Sequence, residues 1–385
     1  MKRYIVIFVL IMIFCVPLRV CADTNNAGLN SNEQAKVDSL YDYINNMKDK
    51  LDGLNDLDIN QYVNNYISSG KSDISMNKIY GVAIKYIFKE LLASAKLMVS
   101  VVVIAILAAL INNLQSAFSN DKLANIAFYA CYSVLILVIS KSFLLGIDLA
   151  KTTINGMVDF MMSLIPVLIM LIAGSGGVSE ATVMDPIIVT GINVAARIYV
   201  TVIIPLILAG FILQFVNNIS DEYKVDKLSK LVNQFALWAQ GILMTIFIGV
   251  ITIRGITSNT MDVVTTKTAK FAVDNFIPVV GKCLSDAIST VAGYSLLLKN
   301  ALSTLGLIII VIAMALPIIK IFIMAMLYRF TAAMVEPISD KRIVNCITCA
   351  GESLILIMSC LISVTVMFFI MISILASSGK VLVGS

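Results

Sequence analysis

The sequence predicts an all-α, polytopic helical membrane protein. Seven or eight transmembrane helices follow a small polar N-terminal helical region, and three of the helices recur as an inverted repeat. Three observations carry this. The chain of 385 residues is 59% hydrophobic and only 14% charged, where soluble proteins carry roughly 25% charged residues. Its apolar residues gather into runs of about 20, the length that takes a helix across a bilayer. Several runs also hold a proline or a charge, such as Pro166, Pro205 and Arg197. Hydrocarbon tolerates these only where neighbouring protein or a wet cavity satisfies them, so the helices pack on one another.

Residues 1–22 read as a signal peptide. Lys2 and Arg3 precede an apolar run, and Val20-Cys21-Ala22 ends it, with cleavage expected after Ala22. A retained anchor and a lipoprotein at Cys21 are the alternatives. Residues 23–77 form a polar extracytoplasmic helical region. Val37, Leu40, Tyr41 and Ile44 keep helical spacing, with Ser31 and Gln34 as a capping box. A second, shorter helix is expected over 59–68. The acidic group Asp52, Asp56 and Asp58 lacks the glycine and glutamate of a calcium loop and reads as a solvated turn. Residues 78–96 place Ile79, Val82, Tyr86 and Leu91 on one face with lysines elsewhere, an amphipathic helix in the membrane interface.

The polytopic transmembrane domain covers 97–376, and 377–385 is a tail. Clear apolar segments lie at 97–114, 123–145, 158–173, 187–216, 231–253, 305–328 and 353–375. The stretch 271–298 decides between seven and eight spans, because it is apolar but holds Asp274, Lys282 and Asp286. Eight spans place Arg254, Arg329 and Arg342 on the cytoplasmic side, as the positive-inside tendency prefers. The 39-residue separation of Pro166 and Pro205 recurs between Pro278 and Pro317. With three spans in each copy the repeat would be inverted, an architecture known from transporters.

Arg197 is the leading functional candidate, since an ionisable side chain deep in a span marks a working site. Asp159, Asp185 and Glu352 are its candidate partners, and Lys320 after Pro317 is the comparable residue of the later segment. Pro166, Pro205, Pro278 and Pro317 are candidates as interruptions of helices. Gly174, Gly176 and Gly177 break the chain between two apolar segments. Cys346-x-x-Cys349 has redox or zinc spacing but lacks the further ligands a zinc site needs. The chain contains no histidine, which removes the commonest general base and metal ligand. No phosphate-binding loop or nucleophile motif is present, so neither an enzyme nor a cofactor is expected. No long basic run points to nucleic acid.

The stretches DPIIVTGINVAARIYVTVIIPL, NQFALWAQGILMTIFIGVITIRG, TKTAKFAVDNFIPVVGKCLSDA and YRFTAAMVEPISDKRI resemble the stage III sporulation protein AE family of endospore-forming bacteria. The resemblance implies a multi-pass protein of the mother-cell membrane that engulfs the forespore. It implies membership of a channel-like or secretion-like complex with the other stage III A proteins, including a separate ATPase subunit. A stage II Q protein would stand on the forespore side, and forespore development would depend on the assembly. An autonomous secondary transporter, or permease, for a small solute is the competing reading.

Overall fold

The computed structural model describes residues 31–48, 76–118, 121–219, 225–276 and 280–378. Every element among them is helical: α1 (Ser31–Lys48), α2 (Met76–Phe118), α3 (Asp121–Gly174), α4 (Val178–Ile198), a π-helix (Tyr199–Ile203), α5 (Ile204–Ile219), α6 (Asp226–Phe276), α7 (Val280–Val335) and α8 (Lys341–Ser377). Six stretches of these helices are long and apolar enough to cross a membrane: Ile87–Leu110, Tyr129–Gly174, Ile188–Asn217, Asp226–Ile253, Val291–Val335 and Lys341–Ser377. The signal segment, the 59–68 helix and Pro278 lie outside the described residues.

The helices are joined differently from the segments read off the sequence. Segments 123–145 and 158–173 both lie on α3, whose 54 residues extend about 80 Å at 1.5 Å per residue. The stretch 271–298 is shared between the last turns of α6 and the start of α7, which then runs unbroken to Val335. Residues 78–96 and 97–114 likewise share α2. The proline spacing has no matching layout. A chain reversal separates Pro166 from Pro205, whereas Pro317 sits inside the continuous α7.

The reversal after α3 has a local cause. Gly176 adopts φ 102°, a conformation that glycine enters without steric cost. Its N–H then reaches the Ala173 carbonyl at 3.1 Å, and the Gly177 N–H reaches Ile172 at 3.0 Å. This pair of bonds satisfies the orphan carbonyls of the last helical turn, as in a Schellman motif. The glycine break is therefore a tight helix stop that folds α4 back on α3.

Helix α8 sits centrally, packed against α3, α5, α6 and α7. Gly306 of α7 lets three helices approach closely. A Cβ there would stand 2.6 Å from Leu164 Cδ2 of α3 and 3.5 Å from Ile372 Cδ1 of α8. Phe143 of α3 stacks on Phe211 of α5 with ring centroids 3.8 Å apart. These apolar side chains are fully buried between the helices, so the bundle interior is close-packed. At one end lie the α5–α6 and α7–α8 connections, where Asp340 caps α8 by accepting from the Arg342 N–H at 2.8 Å. At the other, Lys299 is buried and donates to the carbonyls of Ala376 (2.9 Å) and Ser378. Those carbonyls belong to the C-terminal end of α8, which carries partial negative charge.

Helix α1 docks on α3 through Val37, Leu40 and Ile44, all buried. The Tyr43 hydroxyl donates to the Gly156 carbonyl at 3.3 Å, and its ring lies over Phe160. Burial pushes the Tyr41 phenol up to about 12, with Tyr294 and Asp38 adding to it. Tyr43 is raised for the same reason, with the Asp159 carboxylate adding to the effect.

Candidate functional site

Arg197 and Asp159 occupy one outward face made by α4 and α3. On α3 the exposed residues Lys141, Asp148, Thr152, Asn155, Asp159 and Met162 follow each other at helical spacing, a polar stripe along one side of a largely apolar helix. On α4 and the π-helix, Thr190, Asn193, Arg197 and Thr201 form a second exposed stripe. The two stripes lie side by side, because Asn193 Nδ2 stands 3.5 Å from Met162 Sδ.

Depth follows from the packing register. Helices α3 and α4 are antiparallel. Asp159 is three residues from Met162 and Arg197 four residues from Asn193, so the two charges stand at the same height. Helix α6 runs antiparallel to α4 and α5, since Gly191 packs against Phe247 while Gly210 packs against Asn233. Arg197 therefore falls opposite the middle of the Asp226–Ile253 crossing. Neither Arg197 nor Asp159 has an ion-pair partner among the described residues. A charge at the helix centre costs roughly 2.5–3.5 kcal/mol on insertion scales. Wherever such a face meets acyl chains, each charge carries a cost of this kind.

Pro205 is explained by the backbone before it. Proline has no N–H, and its ring collides with the carbonyl four residues back, here that of Thr201. That residue belongs to the π-helix Tyr199–Ile203, whose wider turn makes room. The Thr201 hydroxyl in turn donates to the Arg197 carbonyl at 2.6 Å. Single π turns gather at functional sites, and this one follows directly on the charged turn. Pro166 and Pro317 sit inside α3 and α7, half-buried and buried respectively, without ending either helix.

The other candidates go elsewhere. Lys320 Nζ pairs with Glu90 Oε1 of α2 at 3.2 Å, a link between α7 and α2 that sequence reasoning missed. Glu352 is remote from Arg197 and lines a cavity of about 580 Å³ between α5, α6 and α8, a volume within the usual range for small-ligand sites. Gln214, Asn233, Asn345, Asp226 and Lys230 line it too, and Lys230 pairs with Asp226 at 2.7 Å. Deeper along the same helices, Ser353 donates to Gln214 Oε1 (3.5 Å) and Ser359 to Gln240 Oε1 (2.9 Å). Gln240 is buried, and its Nε2 has no hydrogen-bond partner among the described residues. These amides were legible only as polar residues inside apolar runs. Cys346 and Cys349 are free thiols, Cys349 on the cavity wall. Among the described residues no three His, Cys, Asp or Glu gather as metal ligands.

The helical fold, its six apolar crossings and the charged outward face define a polytopic helical membrane protein. A family model for stage III sporulation protein AE matches residues 57–379. The chain is also 33% identical over 312 residues to stage III sporulation protein AE of Bacillus subtilis (strain 168), covering 81% of this chain and 78% of that protein. The chain belongs to the stage III sporulation protein AE family, and a sporulation role comes with that membership. No solved structure matches it.

Proposed function

We propose that this chain is a non-enzymatic membrane component of the channel-like or secretion-like complex that links mother cell and forespore. One observation supports the reading most: membership of the stage III sporulation protein AE family, in a chain that carries an exposed charged face on α3 and α4 for a partner to cover. The site is the multi-pass mother-cell membrane around the forespore. The other stage III A proteins, among them a separate ATPase subunit, are direct partners, and the stage II Q protein is an indirect one. Residues 1–22 serve as a signal peptide, and 23–77 remain outside the cytoplasm.

Six crossings with an external α1 orient the chain. Lys227 and Lys230 after the α5–α6 connection, and Arg329, Lys341 and Arg342 around the α7–α8 connection, lie at one end of the bundle. An external α1 makes that end cytoplasmic, as the positive-inside rule prefers. Arg197 and Asp159 serve assembly, Glu352 serves the cavity, and the Lys320–Glu90 pair holds α2 in place. Pro166, Pro205 and Pro317 shape the helices that carry these residues.

The cavity between α5, α6 and α8 favours a second reading, an autonomous transporter for a small polar solute. Affinity purification from sporulating cells separates the two. Recovery of the chain with its ATPase subunit supports the complex. Solute uptake by the purified chain alone in lipid vesicles sinks it.

A further inference from the structure

The exposed surface of this bundle is of two kinds. On α6, Trp238, Ile242 and Ile246 are each about 60% exposed (64%, 59% and 59%), an apolar surface suited to acyl chains. On α2, exposed Val99, Val103 and Leu107 are equally apolar. The α3/α4 face differs, with Asp159 and Arg197 at one height along the two helices and Asn155, Asn193 and Thr201 around them, all exposed. Asparagine and threonine are the side chains that hydrogen-bond between helices in membranes. The charges on this central patch are opposite in sign, equal in number and without an ion-pair partner among the described residues.

We propose that this face binds the same face of a second copy of the chain, with Arg197 of each copy opposite the partner's Asp159. Symmetry selects the pairing. A twofold axis along the membrane normal keeps every residue at its own depth and exchanges left with right. It sets α3 of one copy against α4 of the other. Because Asp159 and Arg197 already share a height, the operation brings unlike charges together twice. Such an isologous contact is self-complementary, the commonest form of homo-oligomeric interface. Each pair also neutralises two opposite charges exposed on the surface of the bundle.

The test uses the full chain in native membranes of a host without sporulation genes, so that its outcome is independent of the proposed role. Two differently tagged copies are co-expressed, one with Asp159→Cys and one with Arg197→Cys, and oxidised. The interface predicts a disulfide-linked species of twice the mass carrying both tags. The unsubstituted chain and a Trp238→Cys pair should give none. Charge reversal supplies the second measurement. Asp159→Arg or Arg197→Asp alone should lower co-isolation of the two tags by about tenfold, the scale of polar helix–helix contacts in membranes. Both reversals in one chain should restore it. Cross-links only to a protein of another mass, equal cross-linking through Trp238→Cys, or single reversals without effect would overturn the proposal.

Discussion

Replacing Lys320 by methionine separates a structural pair from a functional charge. Lys320 Nζ lies 3.2 Å from Glu90 Oε1, with the glutamate side chain 11% exposed and the lysine side chain 36% exposed. Methionine preserves most of the lysine's apolar stem and removes only the cation, so the main effect is a buried carboxylate left alone. Breaking a fully buried pair costs 3–5 kcal/mol. The lysine is a third exposed and partly screened, which lowers the expectation to about 2–3 kcal/mol. Glu90→Gln should cost less, because the remaining ammonium can reach polar surroundings along its flexible stem. The double variant should resemble Glu90→Gln rather than the sum of the two single changes, since the unpaired carboxylate is gone. Denaturant unfolding of the purified chain in detergent measures this, with the buried thiols of Cys346 and Cys360 as reporters through their reactivity. If Lys320→Met is as stable as the parent, or the double variant as unstable as Lys320→Met, the pair does not hold α2 to α7.

Two other changes probe the C-terminal end of α8 and the contact of α1 with α3. Lys299→Met should expose the end of α8, because the Ala376 and Ser378 carbonyls lose their cationic donor. A loss of about 1.5–3 kcal/mol is expected for hydrogen bonds to a charge, and faster amide exchange in the last turns of α8 would report it. Raising pH should release α1. The Tyr41 phenol has its folded value raised from 10.0 to about 12, so its contribution is complete below pH 10 and is lost as pH climbs through 12. The α1 helix should come off the bundle across that window, read as loss of its protection from limited proteolysis, and Tyr41→Phe combined with Tyr43→Phe should remove the dependence.

Much of this fold is written in the chain, but not its joints. Apolar runs and scarce charge mark the crossings, and Gly176 marks the stop after α3 because only a left-handed residue makes that turn cheaply. The union of 123–145 with 158–173 was not legible, because the stretch between the two apolar segments carries Asp148 and Lys151. A polar side chain does not interrupt a helix whose backbone bonds are local, and no Schellman glycine or proline stands between the two segments. The same reasoning explains α7. The proline spacing suggested a repeat, yet proline alone does not encode a reversal.

The site divides in the same way. Arg197 was visible as a lone charge in an apolar run, and Asp159 as a candidate partner. That they share a depth and an outward face depends on the register of α3 against α4, which no local pattern carries. Lys299, Glu90 and the Gln214–Gln240 seam went unseen because their partners lie on helices distant in sequence.

The most direct test of the functional account is a spore count. Arg197→Gln and Asp159→Asn, each introduced at the native locus, remove the charges of the α3/α4 face while keeping side-chain size. The account predicts heat-resistant spores lowered by an order of magnitude or more, the equivalent of about 1.4 kcal/mol or more of lost assembly free energy, with normal amounts of the chain in the membrane. Undiminished spore counts in both variants would contradict it.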